Sequence, residues 1–572
     1  MVLNIGTTKH SFLDDYVVGR KKNVVVRLHR PIRSSPNPVV QADKPWETGV
    51  VGVDLAGGTV LFDQEARQFK MWYRTNQTLL EQAPDGSFRE AAGAAYLACY
   101  AVSSDGLRWE KPDLGLTEFG GSTHNNILPP GKGGRAFIRR PNLIKDYDET
   151  DPRKRYKMVY LDEVDKGFAL VTAYSADGVD WVMDADPPKI FRRPVIPNGV
   201  LFGWDPRLKE YVLYHRTAAM AHADVDGRQV RSDLRRLVRS SSPGFSVWGQ
   251  TRTALALGRS DPANLDIGHL GILSAVLYTD DLYVGFVDTC TVHGVEDVPA
   301  ELWDSVYKMD HAEHRQELVI SRDGKKWTRV SPHWEFFRPG SLGAWDSNHV
   351  IPSKPIVLND KIWIYYSAHS LSCKSYLPHN PDQTKIQASA GESVFGYAIG
   401  LATMRLDGFA SMESYSEGGW VETKPLIFAG NRLVVNVRAP RQPFRPPGSQ
   451  EYVFHGDRMV IRKGNLSEAE TQTQDVFHGG FRVEIQDAHG KPLSGFSLED
   501  CDLFSGDELR HVVSWKEKTD LAALAGEPVR LKFHLQNAAL YSFQFTKEQG
   551  VEQSFDPACP GCRGSFVDRT RE

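Results

Sequence analysis

A six-residue pattern built around Asp-Gly recurs along the chain and constrains its fold more than any other feature. Clear copies are Ser104–Trp109, Ala176–Trp181 and Arg322–Trp327, with a weaker copy at Pro243–Trp248 and a truncated one at Leu406–Phe409. Asp-Gly suits a tight turn, because Asp accepts hydrogen bonds from nearby backbone amides and Gly tolerates positive φ. The Trp is expected to begin the next strand. Copies roughly 65 to 85 residues apart indicate a repeated β unit.

A second, aromatic pattern alternates with the first. Five β-prone pentads follow turn signals, and each is expected to form a hairpin with the apolar strand before it. They are Phe69–Tyr73, Tyr156–Tyr160, Tyr211–His215, Leu282–Phe286 and Ile362–Tyr366. Together the two patterns predict five four-stranded blades, a five-bladed β-propeller over roughly residues 40–415.

Beyond the last repeat, alternating strands separated by Gly and Asp turns predict a β-sandwich. Since no long amphipathic helical pattern occurs, the predicted fold class is all-β, a five-bladed β-propeller followed by a β-sandwich domain. The expected boundaries are 1–39 for an N-terminal segment packing on the propeller, 40–424 for the propeller, 425–546 for the sandwich and 547–572 for a tail.

Composition argues against several classes of protein. Lys and Arg total 68 against 72 Asp and Glu, so we expect neither a nucleic acid nor a membrane as partner. The chain has no apolar run long enough for a spanning helix. Its start lacks the features of a signal peptide, so we expect a cytoplasmic protein unless a leader has been removed. Six cysteines do not form a disulfide framework, and Cys559 and Cys562 are expected to be thiols of the tail.

The repeats and several further motifs resemble those of glycoside hydrolases. The propeller and sandwich are similar to family 32, and the propeller also to family 43. Finer motifs resemble a branch labelled family 32/43-like: Phe12–Tyr16, Ser321–Trp327, Ile399–Phe409, Thr423–Leu426 and Gly495–Cys501. The resemblance implies a glycoside hydrolase of carbohydrate metabolism or polysaccharide degradation, acting on a terminal sugar or oligosaccharide, furanosidic or acidic sugars included. It implies no required cofactor and is compatible with a structural calcium ion.

In those families three carboxylates near the propeller axis carry the chemistry. The present chain departs from that pattern, because Arg140 stands where the acid of the second blade is expected. Paired-carboxylate hydrolysis needs two acids flanking the bond, about 5–5.5 Å apart for retention and about 6.5–9.5 Å for inversion. Four acids near the starts of inner strands are candidates for catalysis, although turn or loop roles stay open for each. They are Glu47, Asp54, Asp266 and Asp346.

Other polar and aromatic residues near the same strand starts are candidates for substrate binding. They are Arg139, Arg140, His269, Trp345, His349 and Lys354. Arg139 and Arg140 either form structural ion pairs or recognise a carboxylate, sulfate or phosphate. The histidines either transfer protons or hold hydroxyls, or are core residues. Trp345 either stacks on a sugar or packs the blade end.

Two further functions remain open. A glycoside phosphorylase would bind phosphate with Arg139, Arg140, His349 and Lys354 and release a sugar phosphate. A non-catalytic carbohydrate-binding propeller would bind sugar without turnover. A sialidase fits less well, because its Asp-box has another spacing and its propeller has six blades. Neither the sugar, the linkage nor the oligomeric state follows from the sequence.

Overall fold

The computed structural model describes most of the chain between residues 2 and 547. The stretches outside this description are 49–51, 77–79, 83–87, 91–95, 130–137, 165–166, 184–189, 191, 194–198, 218–219, 226–227, 234–235, 256–267, 293–311, 333, 342, 371–396, 441–451, 456–457, 462–472 and 476–478. The chain forms two compact units, and among the described residues one spans 31–403 and the other joins 2–30 to 404–547. In the described residues the helical elements are short 3-10 turns, at Pro45–Glu47, Pro152–Lys154 and Ala522–Leu524.

The first unit is a five-bladed β-propeller, as the repeats predict, although blade 1 has three strands in its described sheet instead of the predicted four. Each blade is one sheet, whose strands follow one another from the innermost outward. Blade 1 has Gly52–Asp63, Gln68–Asn76 and Tyr96–Ser103; blade 2 has Arg139–Lys145, Tyr156–Val164, Gly167–Ser175 and Trp181–Met183, with Arg192–Arg193 beside the third strand; blade 3 has Gly199–Asp205, Glu210–Thr217, Arg236–Ser242 and Arg252–Leu255; blade 4 has Gly268–Thr279, Leu282–Val292, Ala312–Ser321 and Thr328–Arg329; blade 5 has His349–Pro352 and Ile356–Leu358, then Lys361–His369, Ala398–Arg405 and Ile32–Arg33. Two hairpins stand apart from the blades, Leu80–Gln82 with Phe88–Glu90 and Met220–Val225 with Arg228–Asp233.

The blades close into a ring. The innermost strands of blades 1 to 4 contact one another in order, blade 4 contacts His349–Pro352 of blade 5, and Lys361–His369 of blade 5 contacts the innermost strand of blade 1. Strand Ile32–Arg33 pairs with Ala402 and Thr403, so a segment from before blade 1 completes blade 5. The five pentads all lie in second strands.

The Asp-Gly turns join neighbouring blades. In the turn of blade 2, Asp177 Oδ1 accepts the amides of Val179 and Asp180 at 2.8 and 3.0 Å, and Gly178 has φ 86°. The Gly178 carbonyl then accepts the indole N–H of Trp72, a pentad residue of blade 1, at 2.6 Å. Equivalent bonds join Tyr214 to Gly324 at 2.6 Å and Tyr365 to Gly106 at 2.8 Å, and the last of these joins blade 5 to blade 1. One short motif therefore both reverses the chain direction and accepts a hydrogen bond from a neighbouring blade.

The second unit is a β-sandwich of two six-stranded sheets. The first contains Leu3–Gly6, Val18–Lys22, Gly419–Thr423, Leu426–Phe428, Gly480–Asp487 and Val529–Gln536; the second contains His10–Ser11, Val25–Leu28, Ala410–Ser414, Arg432–Ala439, Gly506–Val512 and Ala538–Thr546. Buried residues of both sheets form one core, Phe533 and Val483 among them from the first sheet and Phe543 and Leu540 from the second. Strands Tyr452–His455, Arg458–Ile461 and Thr473–Asp475 form a separate small sheet.

The sandwich unit differs in extent from the one that the sequence predicts. The predicted boundaries place residues 1–30 against the propeller and 404–424 within it, yet both segments provide strands to the sandwich sheets. Val25–Leu28, for example, pairs with Ala410–Glu413. Pairing between such distant segments has no local signal, which explains the difference. The tail at 547–572 lies outside the described residues apart from Lys547.

In the described part of the chain, no helix combines the length and apolarity that a membrane crossing requires.

Candidate functional site

A narrow cavity lies where the five innermost strands converge. Its lining includes Thr59 of blade 1, Asn142 of blade 2, Val200 of blade 3, Ser274 of blade 4 and Lys354 after the first strand of blade 5. Its volume of about 10 Å³ suits a single water molecule rather than a sugar. The Lys354 ammonium donates to the Leu201 carbonyl at 3.1 Å, and burial lowers the pKa of Lys354 to about 8. Lys354 therefore bridges blades at the axis.

A larger group of polar side chains lies around the starts of the innermost strands. Asp54, fully buried on blade 1, accepts hydrogen bonds from the Arg74 guanidinium, including one of 2.7 Å from Nε, and from the Ala56 amide at 2.7 Å. Burial alone would raise the pKa of Asp54. The charge of Arg74 and the hydrogen bonds from Ala56 and Arg74, together with the Ser367 hydroxyl, outweigh it and hold that pKa below its usual value. Asp54 and Arg74 thus form an ionised, mutually neutralising pair.

Arg140 of blade 2 reaches the same group through an irregular backbone. Strand pairing is interrupted between Arg139 and Asn142, and Arg140 adopts φ 58°, an uncommon conformation for a residue with a side chain. Its Cβ lies 2.7 Å from where a Cβ on Gly57 would stand, so only glycine fits at position 57. Burial, and then the charge of Arg74, lower the pKa of Arg140 to about 10, while Tyr96, Asp54 and Tyr397 oppose that shift.

The Arg140 guanidinium carries a positive charge that the surrounding side chains do not fully satisfy. Its Nη1 is buried and has no hydrogen-bond partner among the described residues. The charge of Asp54 acts on Arg140, but this carboxylate already accepts hydrogen bonds from Arg74.

Blades 4 and 5 add a row of imidazoles to this group. The ring centroids of His314 and His349 are 3.9 Å apart, those of His349 and His369 are 5.5 Å apart, and those of His369 and Tyr397 are 4.1 Å apart. Asp288 lies against the first imidazole, with both carboxylate oxygens 3.1 Å from His314 Nδ1. Burial, and then the neighbouring His314, hold the pKa of His349 well below 6.5, although Asp288 opposes this. His349 is therefore neutral at pH 7.

Strand Lys361–His369 connects the two halves of the group. The Ser367 hydroxyl helps to lower the pKa of Asp54, and His369, two residues further on the same face of the strand, contacts His349 and Tyr397. The Val53 amide also donates to the Tyr397 carbonyl at 3.1 Å. We call the whole set the axial cluster; its members are Asp54, Arg74, Tyr96, Arg140, Asp288, His314, His349, Ser367, His369 and Tyr397.

Two of the proposed catalytic acids lie in ion pairs apart from these contacts. Glu47 is fully buried and accepts from Tyr73 at 2.5 Å and Lys111 at 2.7 Å. Asp346 accepts from Arg33 Nε at 2.6 Å and from the Tyr366 hydroxyl at 3.1 Å. Both carboxylates are neutralised by a cation, as Asp54 is, but their partners Lys111 and Arg33 lie outside the axial cluster.

The remaining sequence candidates are placed as follows. Asp266 lies outside the described residues. Arg139 and His269 lie in the innermost strands of blades 2 and 4, opposite Leu161 and Cys290, and their side chains are outside the description. The Trp345 ring stacks on the Tyr366 ring, with centroids 5.7 Å apart, and the Tyr366 hydroxyl donates to Asp346.

Sequence reasoning missed Arg74, Asp288, His314 and His369. Three of them share a signal, because each lies one to three residues after an aromatic pentad: Arg74 after Tyr73, Asp288 after Phe286 and His369 after Tyr366. A second strand runs antiparallel to the innermost strand, so its end lies beside the start of that strand. This geometry explains why these three polar residues reach the axial cluster.

No protein-family model and no curated protein matches the chain. Among solved structures, it is similar to a β-1,2-mannobiose phosphorylase from Listeria innocua in complex with β-1,2-mannobiose, with 13% identity, 68% of this chain and 98% of that chain covered, and a TM-score of 0.42. It is also similar to a glycosyl hydrolase from Bacteroides ovatus (13%, 66% and 94%, 0.39). A third similar structure was described in work on the GH130 family of mannoside phosphorylases, which contains glycoside hydrolases that target β-1,2 mannosidic linkages. It has 13% identity, 66% of this chain and 94% of that chain covered, and a TM-score of 0.39. These proteins are glycoside hydrolases and phosphorylases, and none of the three is described as a member of families 32 or 43. Likeness of this degree assigns no activity to this chain.

Proposed function

We propose that the protein is a carbohydrate-active enzyme that cleaves a glycosidic bond at the axial cluster and holds an anionic group at Arg140. The observation that carries this proposal is the charge around Arg140. Asp54 and Arg74 neutralise each other, so the Arg140 cation remains in a largely buried site with its Nη1 unpaired among the described residues. A cation in such a site calls for an anionic partner. A sugar carboxylate or a phosphate supplies one through bidentate hydrogen bonds.

The aromatic rings near Arg140 favour a sugar that bears the anionic group. Tyr96 and Tyr397 both act electrostatically on Arg140 and Arg74, and the Arg74 guanidinium lies 5.8 Å from the Tyr96 ring centre. Tyr397 in turn packs on His369. Aromatic rings with polar edges pair an apolar face for the sugar ring with hydrogen bonds for its hydroxyls.

In this proposal Asp54 is the carboxylate that acts on the reacting centre. Its lowered pKa keeps it ionised at neutral pH. An ionised carboxylate stabilises an oxocarbenium-like transition state, or acts as base or nucleophile, whereas a general acid needs a raised pKa. Asp54 is therefore suited to be the stabilising carboxylate, base or nucleophile, and not the proton donor.

Phosphorolysis is the second candidate reaction, and a specific observation favours it. Of the four acids proposed from the sequence, Glu47 and Asp346 pair with Lys111 and Arg33, and Asp266 lies outside the described residues. Asp54 acts electrostatically on Arg140. A phosphate bound at Arg140 would attack the anomeric carbon while its own proton passes to the departing oxygen, so a second enzymic carboxylate would not be required.

Incubation of the purified protein with acidic and neutral oligosaccharides, with and without inorganic phosphate, tests the proposal. Reducing sugar formed without phosphate indicates hydrolysis, and sugar phosphate formed only with phosphate indicates phosphorolysis. Asp54→Asn should lower either rate by roughly 100-fold or more. Asp281→Asn is the matched control, because it removes a carboxylate that pairs with Arg322 at the turn between the first two strands of blade 4. Sugar binding without turnover, unchanged by Asp54→Asn, would instead identify a non-catalytic binding protein.

A further inference from the structure

Three potential metal ligands meet within the propeller, at the blade 4 and blade 5 side of the axial cluster. Asp288, His314 and His349 come from the second strand of blade 4, its third strand and the first strand of blade 5. One ligand atom of each lies within 4.8 Å of the other two. Their side chains are 8%, 6% and 6% exposed. Neighbouring strands have thus brought together two imidazoles and a carboxylate in a buried position.

The separations suit a small divalent ion. Zinc binds imidazole nitrogen at about 2.0–2.1 Å, so tetrahedral ligand atoms around it lie about 3.3 Å apart. His314 Nδ1 is 3.1 Å from Asp288 Oδ1, and His349 Nε2 is 3.9 Å from the same oxygen. A change of less than about 1 Å would bring the longer of these separations to the ideal value.

The surroundings orient the carboxylate, as the outer shell of a metal site does. Gln316 Nε2 donates to Asp288 Oδ1 at 2.9 Å. Gly271 on the innermost strand of blade 4 leaves space for Asp288, because a Cβ there would stand 2.3 Å from Oδ2. Any other residue at position 271 would push the carboxylate from its place.

The donor set decides which metals fit. Calcium and magnesium prefer sites made of oxygen ligands, whereas two imidazoles with one carboxylate favour a first-row transition ion or zinc. A structural calcium ion, which the family resemblance allows, is therefore a poor match for this group. Three protein ligands also leave one position of a four-coordinate ion for water or another ligand.

We propose that Asp288, His314 and His349 bind one divalent transition-metal ion of the zinc type within the propeller. The site belongs to the axial cluster, but metal binding by these three residues does not require the proposed function, which depends on Asp54 and Arg140. Loss of one proposal would leave the other standing.

Metal analysis of the full chain tests the site. After treatment with a chelator and dialysis against Zn²⁺, the protein should retain about one equivalent at about pH 7.5, and Ca²⁺ in roughly tenfold excess should not displace it. Asp288→Asn and His349→Gln should each weaken Zn²⁺ retention at least about tenfold. His215→Gln is the matched control, because His215 is a buried histidine of blade 3 that bonds Ser240.

A second measurement requires no variant. The Co²⁺-substituted wild-type protein should show the visible absorption bands of a four- or five-coordinate ion with nitrogen and oxygen ligands. Absence of those bands together with no retained Zn²⁺ would overturn the proposal. So would retention equal to that of wild type in both folded variants, since the three residues would then be only a structural hydrogen-bonded group.

Discussion

At the scale of single residues, Arg140 shows how backbone and charge together define a site. Its positive φ and the interrupted pairing after Arg139 turn its side chain towards Asp54 and Arg74, and Gly57 leaves the space it occupies. Strained backbone of this kind persists only where the surrounding structure enforces it, and such positions cluster at functional sites.

Replacement of Arg140 should discriminate between substrates by charge. Arg140→Ala removes charge-assisted hydrogen bonds of about 1.5–3 kcal/mol, so binding of an acidic sugar or phosphate should weaken about 10- to 100-fold. Binding of a neutral analogue should change much less. Isothermal titration calorimetry with a matched pair of acidic and neutral sugars measures the difference.

Arg140→Lys separates charge from geometry in the same assay. It keeps the positive charge but loses the bidentate fork, so its affinity for the acidic ligand should lie between those of wild type and Arg140→Ala. Equal losses for acidic and neutral ligands would show that Arg140 has a structural role only.

At the scale of the element, the Asp-Gly turn does two tasks with six residues. Asp177 closes the turn on two backbone amides, and Gly178 presents its carbonyl to Trp72 of the preceding blade. A Cβ on Gly178 would lie 2.7 Å from Trp72, in addition to the cost of its φ of 86°. The turn therefore depends on glycine for both its backbone conformation and the packing between blades.

Gly178→Ala should destabilise the propeller more than the matched variant Gly115→Ala. Gly115 has a similar φ of 66°, but nothing lies within 4 Å of a Cβ there. Gly115→Ala should cost about 1–2 kcal/mol for the left-handed backbone alone. Gly178→Ala should cost about 1–3 kcal/mol more for overpacking against Trp72. Urea unfolding followed by tryptophan fluorescence measures both, and equal midpoints would contradict this account of the turn.

At the scale of the whole molecule, acid should destabilise both units through buried histidines. Burial lowers the pKa of His215 in the propeller to about 4. It does the same for His29 in the sandwich unit, where the charges of Arg27, Arg438 and Arg405 add to the effect. Unfolding restores a pKa near 6.5, so the unfolded chain binds more protons between pH 6.5 and about 4. Stability is complete above about pH 6.5 and falls as the pH decreases through that window.

The His215 contribution should be measurable by substitution. A fall in pKa from 6.5 to about 4 corresponds to roughly 3 kcal/mol lost by about pH 4. His215→Gln removes the titrating group, so its thermal unfolding temperature should depend less on pH across that window than the unfolding temperature of wild type. An identical pH dependence would show that His215 is not buried in its neutral form.

Local patterns in the sequence were sufficient to predict the propeller. The turns and the pentads form through contacts with residues close in the sequence, as in the turns at Asp105, Asp177 and Asp323 and the pentad Phe69–Tyr73. The number of repeats predicts the number of blades. Turn and strand preferences are local physics, so the fold class could be predicted from them.

Only the tertiary structure decided which polar residues are available for chemistry. Asp346 and Glu47 look like acids near strand starts in the sequence, but Arg33, 313 positions away, and Lys111, 64 positions away, neutralise them. The same long-range pairing brings His349 to Asp288 and His314 and places residues 1–30 in the sandwich. Whether a charge is neutralised depends on which side chains folding brings within a few ångströms of it. The distance between two residues along the sequence does not report their distance in space.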